Sequence, residues 1–256
     1  MLWLIVSFSA AAVEELRPEL TWCLDHFPAF HNYLDDTPTG PSVDMMKEIA
    51  QRAGFKLSYT ARTPLARCLR KMEQGEVDLM SNLKFSAQRD RSIWLLPYRL
   101  AQPEKLLQRS HDARQYTHLH ELDPLTLVTI RDFTYNPALM QVLAGLSNRV
   151  EVETIEVGLE LLFIGRVDGL LIPPESALPL IAEQQRYAQQ FKLRDLPIYQ
   201  DTANPVHIGV SRLSKHQGFK PAIEQAIKDM QQDGTLDRLH RPSERVESFF
   251  YEASLP

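Results

Sequence analysis

Several residue types and patterns that mark large protein classes are scarce or absent in this sequence. Its 256 residues include only two cysteines, which are too few for a scaffold built on disulfides. After the first 12 residues, no segment approaches the roughly 20 apolar residues of a membrane-spanning helix. No Gly-x-Ser-x-Gly turn and no phosphate-binding loop occurs, so no motif supports a serine hydrolase or a P-loop nucleotide enzyme.

Positive charge is also in short supply. The chain has 28 Lys and Arg against 33 Asp and Glu, which gives a net charge of -5 at pH 7. Its basic residues form no stripe interleaved with aromatics, the pattern that binding to a phosphate backbone requires. We therefore expect no nucleic-acid partner. A hydrophobic content of 44% and a charged content of 24% predict a globular protein with two modest cores or one large one.

The most apolar segment is the N-terminus, MLWLIVSFSAAAVEE. It closes on the small residues Ala10-Ala11-Ala12, which are followed at once by acidic residues, and so predicts a secretory signal peptide at residues 1–12. The segment lacks a positively charged start, which indicates either a weak signal or a true start further upstream. A buried N-terminal strand is the alternative.

The first half of the chain alternates between strand-like and helix-like segments. Strands are predicted at residues 20–24, 55–59 and 77–80. Helical spacing predicts one helix capped by Ser42 and ended by Gly54, and a second helix that starts near Leu65 and is ended by Gly75. This β-α-β-α-β order predicts a parallel sheet with right-handed crossovers, and hence an α/β fold.

The second half repeats the plan. Strands are predicted at residues 125–130, 150–154, 169–172 and 207–211, and helices at residues 137–146, 157–164 and 175–190. The segment Gly165-Arg166-Val167-Asp168 echoes Gly75-Glu76-Val77-Asp78 in the same position of the plan. We therefore predict two similar lobes joined by a hinge of two segments. Lobe 1 would contain residues 13–101 and 211–256, and lobe 2 would contain residues 102–210.

The two cysteines fall within the first of these units. An even count in an exported protein makes one disulfide the first hypothesis, and two buried free thiols are the alternative. Cys23 lies on the first predicted strand and Cys68 on a helix of the same β-α-β-α-β unit. Because such elements are neighbours, we predict a bridge between Cys23 and Cys68.

The segment GEVDLMSNLKFSAQRDRSIWLLPY places polar residues at the end of a buried strand. Ligands of open α/β sheets bind outside the carboxyl ends of strands, and Ser86 is positioned to cap a short helix that carries Arg89 towards that crevice. A guanidinium there suits a carboxylate, because its planar fork makes two parallel hydrogen bonds. The alternative is a solvated helix face.

This segment and three others carry a resemblance to a known family. They are GPSVDMMKEIAQRAGF, GRVDGLLIPP and the closing AIKDMQQDGTLDRL. Together the segments resemble the periplasmic solute-binding proteins of the polar-amino-acid type, the bacterial extracellular solute-binding family 3. The resemblance implies a type II periplasmic-binding-protein-like fold with two lobes, each a parallel-dominated sheet flanked by helices. It also implies a monomer without a cofactor that captures a small solute in the periplasm for the permease of an inner-membrane ABC transporter.

The resemblance also implies site residues. By position in the family's motifs, Phe27 and Leu65 would sandwich the apolar part of the ligand, Ser81 and Asn82 would meet its polar groups, Arg89 would hold its carboxylate, and Thr134 would reach it from lobe 2. Their alternative roles are core packing for Phe27 and Leu65, and solvated strand ends for the others.

This sequence departs from the family pattern at three places. Lys84 stands where the family usually has a small hydroxyl residue, and Asp132 begins a segment that replaces a Gly-Thr-Thr-like turn. Pro173 stands where the family usually has an aspartate that grips an α-amino group. Lys84 and Arg89 without that acid favour a carboxylate-bearing ligand that is acidic or poor in amines, although Asp132 could replace the missing acid.

Two other function classes compete with solute capture. The first is a periplasmic enzyme, because cyclohexadienyl dehydratases share this fold, with Glu175 or Asp132 as the general acid. The second is a sensor domain that presents a ligand-dependent surface to a membrane receptor. His118, His120 and Glu121 could ligate a metal, but in a polar linker we interpret them as a solvated loop and expect no metal site.

Overall fold

The computed structural model of the chain describes residues 17–240 apart from 26, 28, 29, 35, 36 and 199–203. The predicted signal peptide at residues 1–12 lies outside the described residues, as do residues 13–16 and 241–256 of the predicted lobe 1. Within the described part of the chain, no helix combines the length and the apolar character needed to cross a membrane.

Two five-stranded sheets flanked by helices form the predicted α/β fold. The strands of the first half are β1 (Glu19–Trp22), β2 (Asn32–Leu34), β3 (Thr37–Thr39), β4 (Lys56–Tyr59), β5 (Leu79–Lys84) and β6 (Ile93–Leu100). Its helices are α1 (Pro41–Ala53), α2 (Leu65–Gln74) and α3 (Ala87–Asp90). The later strands are β7 (Lys105–Arg109), β8 (Leu127–Ile130), β9 (Arg149–Val152), β10 (Gly169–Ile172), β11 (Phe191–Arg194) and β12 (Pro205–Ser211). The later helices are α4 (Pro137–Gly145), α5 (Ile155–Phe163), α6 (Pro174–Glu183), α7 (Lys220–Gln232) and α8 (Thr235–Leu239).

The two sheets have the same internal plan. The first has the order β4-β1-β5-β12-β6, with β1 parallel to β4 and β5, and with β12 antiparallel to both β5 and β6. The second has the order β9-β8-β10-β7-β11, with β8 parallel to β9 and β10, and with β7 antiparallel to both β10 and β11. In each sheet, three adjacent parallel strands are therefore followed by one antiparallel strand and by an edge strand that again runs parallel to the first three. The strands β2 and β3 form a separate hairpin.

The aspartates of the two Gly-x-Val-Asp segments make the same pair of hydrogen bonds in the two lobes. Asp78 exchanges two hydrogen bonds with Thr21, one from its backbone amide to the Thr21 carbonyl at 2.9 Å and one from the Thr21 amide to its carboxylate at 2.6 Å. Asp168 makes the same pair with Thr126, at 2.8 Å and 2.9 Å. The four-residue echo in the sequence therefore marks a repeated structural unit.

Local sequence signals set the helix ends, with one exception. Gly54 and Gly75 end α1 and α2 with φ of 81° and 72°, the left-handed conformation that glycine adopts most easily. The predicted cap at Ser42 is wrong, because Gly40 is the residue before the first helical turn and Ser42 lies within α1. The Ser42 hydroxyl is buried and accepts a hydrogen bond from the Asn82 amide at 2.9 Å.

One predicted strand and one predicted helix end at residues other than those expected from the sequence. The strand predicted at residues 77–80 continues as β5 to Lys84, because β12 pairs alongside it from Val206 to Val210. The helix predicted at residues 175–190 ends at Glu183, and the chain then forms a short 3-10 helix (Gln185–Tyr187) and the edge strand β11.

The lobe boundary predicted at residue 211 also falls inside the first sheet. The strand β12 begins at Pro205 and pairs with β6 along its whole length, so residues 205–210 lie in the sheet of lobe 1. Hydrogen bonding on both sides of β12 explains this placement, since a strand between two partners satisfies its backbone groups fully. We place the second crossing between the lobes before Pro205.

Each sheet has its own apolar core. The core of lobe 1 is centred on Trp22, Met45 and Ile208, and α7 adds Ile223 and Met230 to it. The core of lobe 2 contains Val128, Leu159, Leu162, Leu170 and Ile172. Phe27 and Phe30 follow β1 in sequence yet pack into the second core. These two aromatic residues join the lobes.

The predicted disulfide is confirmed. Cys23 and Cys68 are bonded, with their Cα atoms 5.6 Å apart, and both residues are fully buried among Met72, Val77 and Met80. The bond ties the end of β1 to α2 across 45 residues of chain. It restrains the part of lobe 1 from which the predicted site residues project.

We expect reduction of this disulfide to lower the free energy of unfolding by about 4 kcal/mol, because the bond restricts the unfolded chain. Urea unfolding with and without a reductant measures the difference. The control is the double variant Cys23→Ala and Cys68→Ala, whose stability the reductant should leave unchanged. Two reactive thiols in the denatured, unreduced protein would contradict the bond.

The C-terminal end of the described chain packs against the segment that leads out of lobe 1. His240 lies 5.4 Å from the Tyr98 ring and 6.5 Å from the Phe30 ring, and its Nδ1 donates to the Leu236 carbonyl at 3.0 Å. Burial lowers the pKa of His240 to about 4, and the nearby Arg99 charge acts in the same direction. The folded protein therefore keeps this imidazole neutral.

We expect His240 to make the protein less stable in mild acid. Its unfolded pKa of about 6.5 exceeds its folded pKa of about 4, so its contribution is complete above pH 6.5 and is lost as the pH falls towards 4. The loss is about 3 kcal/mol at most. Chemical unfolding at several pH values should show this slope flattened in His240→Phe and retained in the exposed control His111→Gln. An equal slope in wild type and His240→Phe would contradict the assignment.

Candidate functional site

A cavity lies between the lobes, at the carboxyl end of β5. It encloses about 510 Å³, part of it open to solvent. Six of the eight predicted ligand-binding residues line it: Phe27, Leu65, Asn82, Lys84, Arg89 and Thr134. The other two, Ser81 and Asp132, do not line it. The crevice that the sequence predicts at the end of this strand therefore exists, but two of the predicted residues do not line it.

Arg89 is the buried cation of this cavity. Ser86 caps the short helix α3 by accepting a hydrogen bond from the Arg89 amide at 3.2 Å, as predicted. The guanidinium donates to two backbone carbonyls, that of Lys84 at 2.9 Å and that of Asp132 in the other lobe. Burial lowers the pKa of Arg89 to about 10, and the Asp132 and Asp25 carboxylates oppose this shift. Arg89 is therefore a cation at neutral pH, and it forms no ion pair with a carboxylate of the described residues.

Lys84 does not offer a free positive charge. Its ammonium donates to the carboxylate of Glu104, and both residues are buried. Glu104 belongs to the connection that leads from β6 into lobe 2. The argument that Lys84 adds a second positive charge in favour of an anionic ligand therefore loses its basis, because Glu104 neutralises Lys84.

Asn82 lines the cavity but uses its side chain to hold the surrounding structure. Its amide nitrogen donates to Ser42 at 2.9 Å, and its amide oxygen accepts from the Tyr98 hydroxyl at 2.7 Å. Its φ of 57° lies in the left-handed region, which is uncommon for a residue other than glycine. Ser81 is buried, and its hydroxyl lies 3.3 Å from the Asn82 amide nitrogen.

The turn after β8 supplies the wall from lobe 2. Phe133 and Thr134 line the cavity. The side chain of Asp132 is exposed, and the hydrogen bond from Arg89 goes to its carbonyl. Asp132 has a φ of 59°, which marks a sharp turn of the backbone at this residue. The prediction that the Asp132 carboxylate replaces a missing acid in the cavity is therefore not supported by its position.

Two charged residues of the cavity were not predicted as a pair. Arg99 lies at the end of β6, 4.4 Å from the centre of the Phe30 ring, and its Nη1 is 3.8 Å from Oε1 of Glu175. Glu175 lies in the first turn of α6, and its Oε2 is buried without a hydrogen-bond partner among the described residues. Burial raises the pKa of Glu175, whereas a hydrogen bond from its own backbone amide and the Arg99 and Lys84 charges oppose this shift. Glu175 was predicted only as the possible general acid of an enzyme, and no local pattern in the sequence links it to Arg99.

Aromatic rings close the cavity and join the lobes. Phe27 stacks on Phe30 with ring centres 5.2 Å apart, and it lies 5.9 Å from Phe133 of lobe 2. Asp25 beside them lies 3.0 Å from His31, which is buried. Apolar walls around a few charged groups are typical of small-molecule sites.

A second cavity adjoins the first. It encloses about 640 Å³, again partly open, and shares with the first the residues Asp25, Phe27, Leu65 and Phe133. Arg62 on its rim lies 3.4 Å from Glu156 of lobe 2. The cleft between the lobes thus extends beyond the charged cavity.

The histidine pair in the linker has a structural explanation. The Glu121 carboxylate accepts hydrogen bonds from the backbone amides of Thr117 at 2.6 Å and His118 at 2.9 Å, which caps a short 3-10 helix. His118 and His120 stack with ring centres 5.4 Å apart. Within the described residues, no group of three metal-ligating side chains occurs.

Solved structures of similar fold share this two-lobed architecture. An ancestral arginine-binding protein bound to glutamine is 18% identical with a TM-score of 0.73, covering 88% of this chain and 97% of its own. An amino acid ABC transporter substrate-binding protein from Streptococcus pneumoniae, bound to L-arginine, is 19% identical with a TM-score of 0.72, covering 96% and 100%. A histidine kinase sensor domain with similarity to periplasmic binding proteins is 17% identical with a TM-score of 0.72, covering 87% and 94%.

Sequence comparison identifies the family. No curated protein sequence shows significant similarity to this chain. The family model of bacterial extracellular solute-binding proteins, family 3, matches residues 20–242. This match spans most of the chain and includes both sheets and the cleft between them. The chain therefore belongs to the bacterial extracellular solute-binding proteins, family 3.

Proposed function

We propose that this protein captures a small carboxylate-bearing solute, an amino acid or a related compound, in the cleft between its lobes. It would act in the periplasm and deliver the solute to the permease of an inner-membrane ABC transporter. Family membership and the amino-acid ligands of similar structures support this proposal. The observation that carries it is the Arg89 guanidinium, which lies buried in the cleft without a carboxylate partner among the described residues.

The energetics of Arg89 favour an anionic ligand. A buried charge that lacks a counter-charge is costly, and carbonyl oxygens compensate a guanidinium only in part. A ligand carboxylate would supply the missing charge through charge-assisted hydrogen bonds, which are about twice as strong as those between neutral groups. Arg89 also contacts the Asp132 carbonyl of lobe 2, so a ligand bound to it would touch both lobes.

A sensor role is the second candidate. The likeness to a histidine kinase sensor domain supports it, since that domain has the same two-lobed fold. Both roles would use the same cleft and the same closure of the two lobes. They differ in the protein that recognises the closed form. Co-purification from membranes with a permease would support transport, and co-purification with a receptor would support sensing.

An enzyme is the third candidate. A dehydratase of this fold would need a general acid in the cleft, and burial raises the pKa of Glu175, which lines the cavity. Asp132 is too exposed for this role. Proton NMR of candidate solutes after incubation with the protein distinguishes turnover from binding.

We expect Arg89→Ala to weaken binding of a carboxylate ligand by about 2 to 5 kcal/mol, the range for removing one partner of a buried charge pair. A thermal-shift screen of amino acids and small carboxylates identifies the ligand, and titration calorimetry measures the loss. The matched control is Arg91→Ala, an exposed arginine two residues further on, which should bind normally. Unchanged affinity in Arg89→Ala would contradict the proposal.

We also expect the ligand to close the lobes. Two connections join them, one at residues 101–104 and one between β11 and β12, and such a pair permits bending without disturbing either core. Small-angle scattering should show a smaller radius of gyration at ligand saturation in the wild type, and no change in Arg89→Ala at the same ligand concentration. An unchanged radius in the saturated wild type would exclude closure.

A further inference from the structure

We propose that Glu104 sets the charge specificity of the cleft, so that the solute carries a single carboxylate and a second anionic group is rejected. This inference rests on the function proposed above and narrows the charge of its ligand. It also narrows the expectation of an acidic or amine-poor solute to one with a single negative group. The juxtaposition that carries it is the buried contact of Glu104 with Lys84, which lines the cavity together with Arg89.

Lys84 would be a second anion-binding group of the cavity if its charge were unmatched. Its side chain lines the cavity and is 10% exposed. Its carbonyl accepts a hydrogen bond from the Arg89 guanidinium at 2.9 Å, so both cations lie at the same end of β5. Two such cations without a counter-charge would favour a dicarboxylate over a monocarboxylate.

Glu104 cancels this second charge from outside the cavity lining. Its carboxylate accepts a hydrogen bond from the Lys84 ammonium, and its own side chain is fully buried and does not line the cavity. Glu104 belongs to the crossing between the lobes, next to the start of β7. A solute in the cavity therefore meets a lysine whose charge is already matched by the protein.

The acids near this pair make a second anion still less favourable. Oε2 of Glu104 is buried without a hydrogen-bond partner among the described residues. Burial raises the pKa of Glu175, which lines the cavity, and the Glu104 charge adds to this rise, whereas the Glu175 backbone amide and the Arg99 and Lys84 charges oppose it. The charge of Glu104 therefore acts on groups inside the cavity. A second ligand carboxylate would meet two protein carboxylates, and like charges placed together weaken binding.

The other cations of the cavity lining leave one place for an anion. Arg99 stacks on the Phe30 ring, and its guanidinium lies 3.8 Å from the Glu175 carboxylate. Arg89 donates to two backbone carbonyls and pairs with no carboxylate in the described part of the chain. A monocarboxylate supplies the one missing counter-charge, and a dicarboxylate exceeds it by one.

The test uses acid and amide pairs, which have nearly the same shape and differ by one negative charge. Glutamate and glutamine, aspartate and asparagine, glutarate and glutaramate, and succinate and succinamate are each titrated into the full protein by calorimetry. We expect wild type to bind the amide about 10-fold more tightly than the acid in every pair that binds. Glu104→Gln should shift this ratio towards the acid by about 10-fold or more, because the Lys84 charge is then unmatched.

Companion variants separate the effect of charge from that of structure. Glu104→Asp keeps the acid and should keep the amide preference, as should the double variant Lys84→Met with Glu104→Gln, which removes both charges. Lys84→Met alone leaves the Glu104 charge unmatched and should shift the ratio further towards the amide, so it tests the inference if Glu104→Gln fails to fold. The matched control is Glu183→Gln, which changes an exposed acid of lobe 2 and should leave the ratio unchanged. Thermal unfolding without ligand checks the fold of each variant.

Different results would overturn this inference and the proposed function. An acid that wild type binds as tightly as its amide would overturn the inference and leave the proposed function standing. The same ratio in wild type, Glu104→Gln and Lys84→Met would also overturn it, because a pair that only holds the structure would change both affinities equally. Failure of every acid and amide to bind, or normal binding in Arg89→Ala, would overturn both.

Discussion

The burial of the Arg89 guanidinium between two sheets is the constraint on which the cleft depends. A cation in this position must be solvated by protein groups, and here the carbonyls of Lys84 and Asp132 converge on it from different lobes. Ser86 sets the direction of the short helix that carries Arg89. The two lobes thus meet around a positive charge that the protein compensates only in part, and this leaves room for an anionic group of a ligand.

The other charges of the cleft are arranged so that few remain free. Glu104 neutralises Lys84 at the point where the chain crosses into lobe 2. Arg99 stacks on the Phe30 ring, and its guanidinium lies 3.8 Å from the Glu175 carboxylate. Buried pairs of this kind add little net stability, because desolvation offsets their attraction. We propose that their effect is on specificity, because they would decide which charges a solute meets in the cleft.

Most of the fold could be predicted from the sequence, because local periodicity and glycine stops define the parallel strands and their helices. The repeated aspartates Asp78 and Asp168 marked the two lobes correctly. The sheet position of β12 was missed, since antiparallel pairing with β5 and β6 leaves no local signal. Six of the predicted site residues line the cavity. Whether a charged residue among them is free to meet a ligand depends on the group with which it is paired. Lys84 and Glu104 are 20 residues apart, and Arg89 and Asp132 are 43 apart, so no local pattern links them.

The central claim is that the cleft holds a solute by its carboxylate on Arg89. A crystal structure of the protein with its solute bound tests this claim most directly. The account predicts electron density for the solute between Phe27 and Thr134, with its carboxylate oxygens within hydrogen-bond distance of the Arg89 guanidinium. A solute bound outside the cleft, or one inside it while Arg89 contacts only the carbonyls of Lys84 and Asp132, would contradict the account.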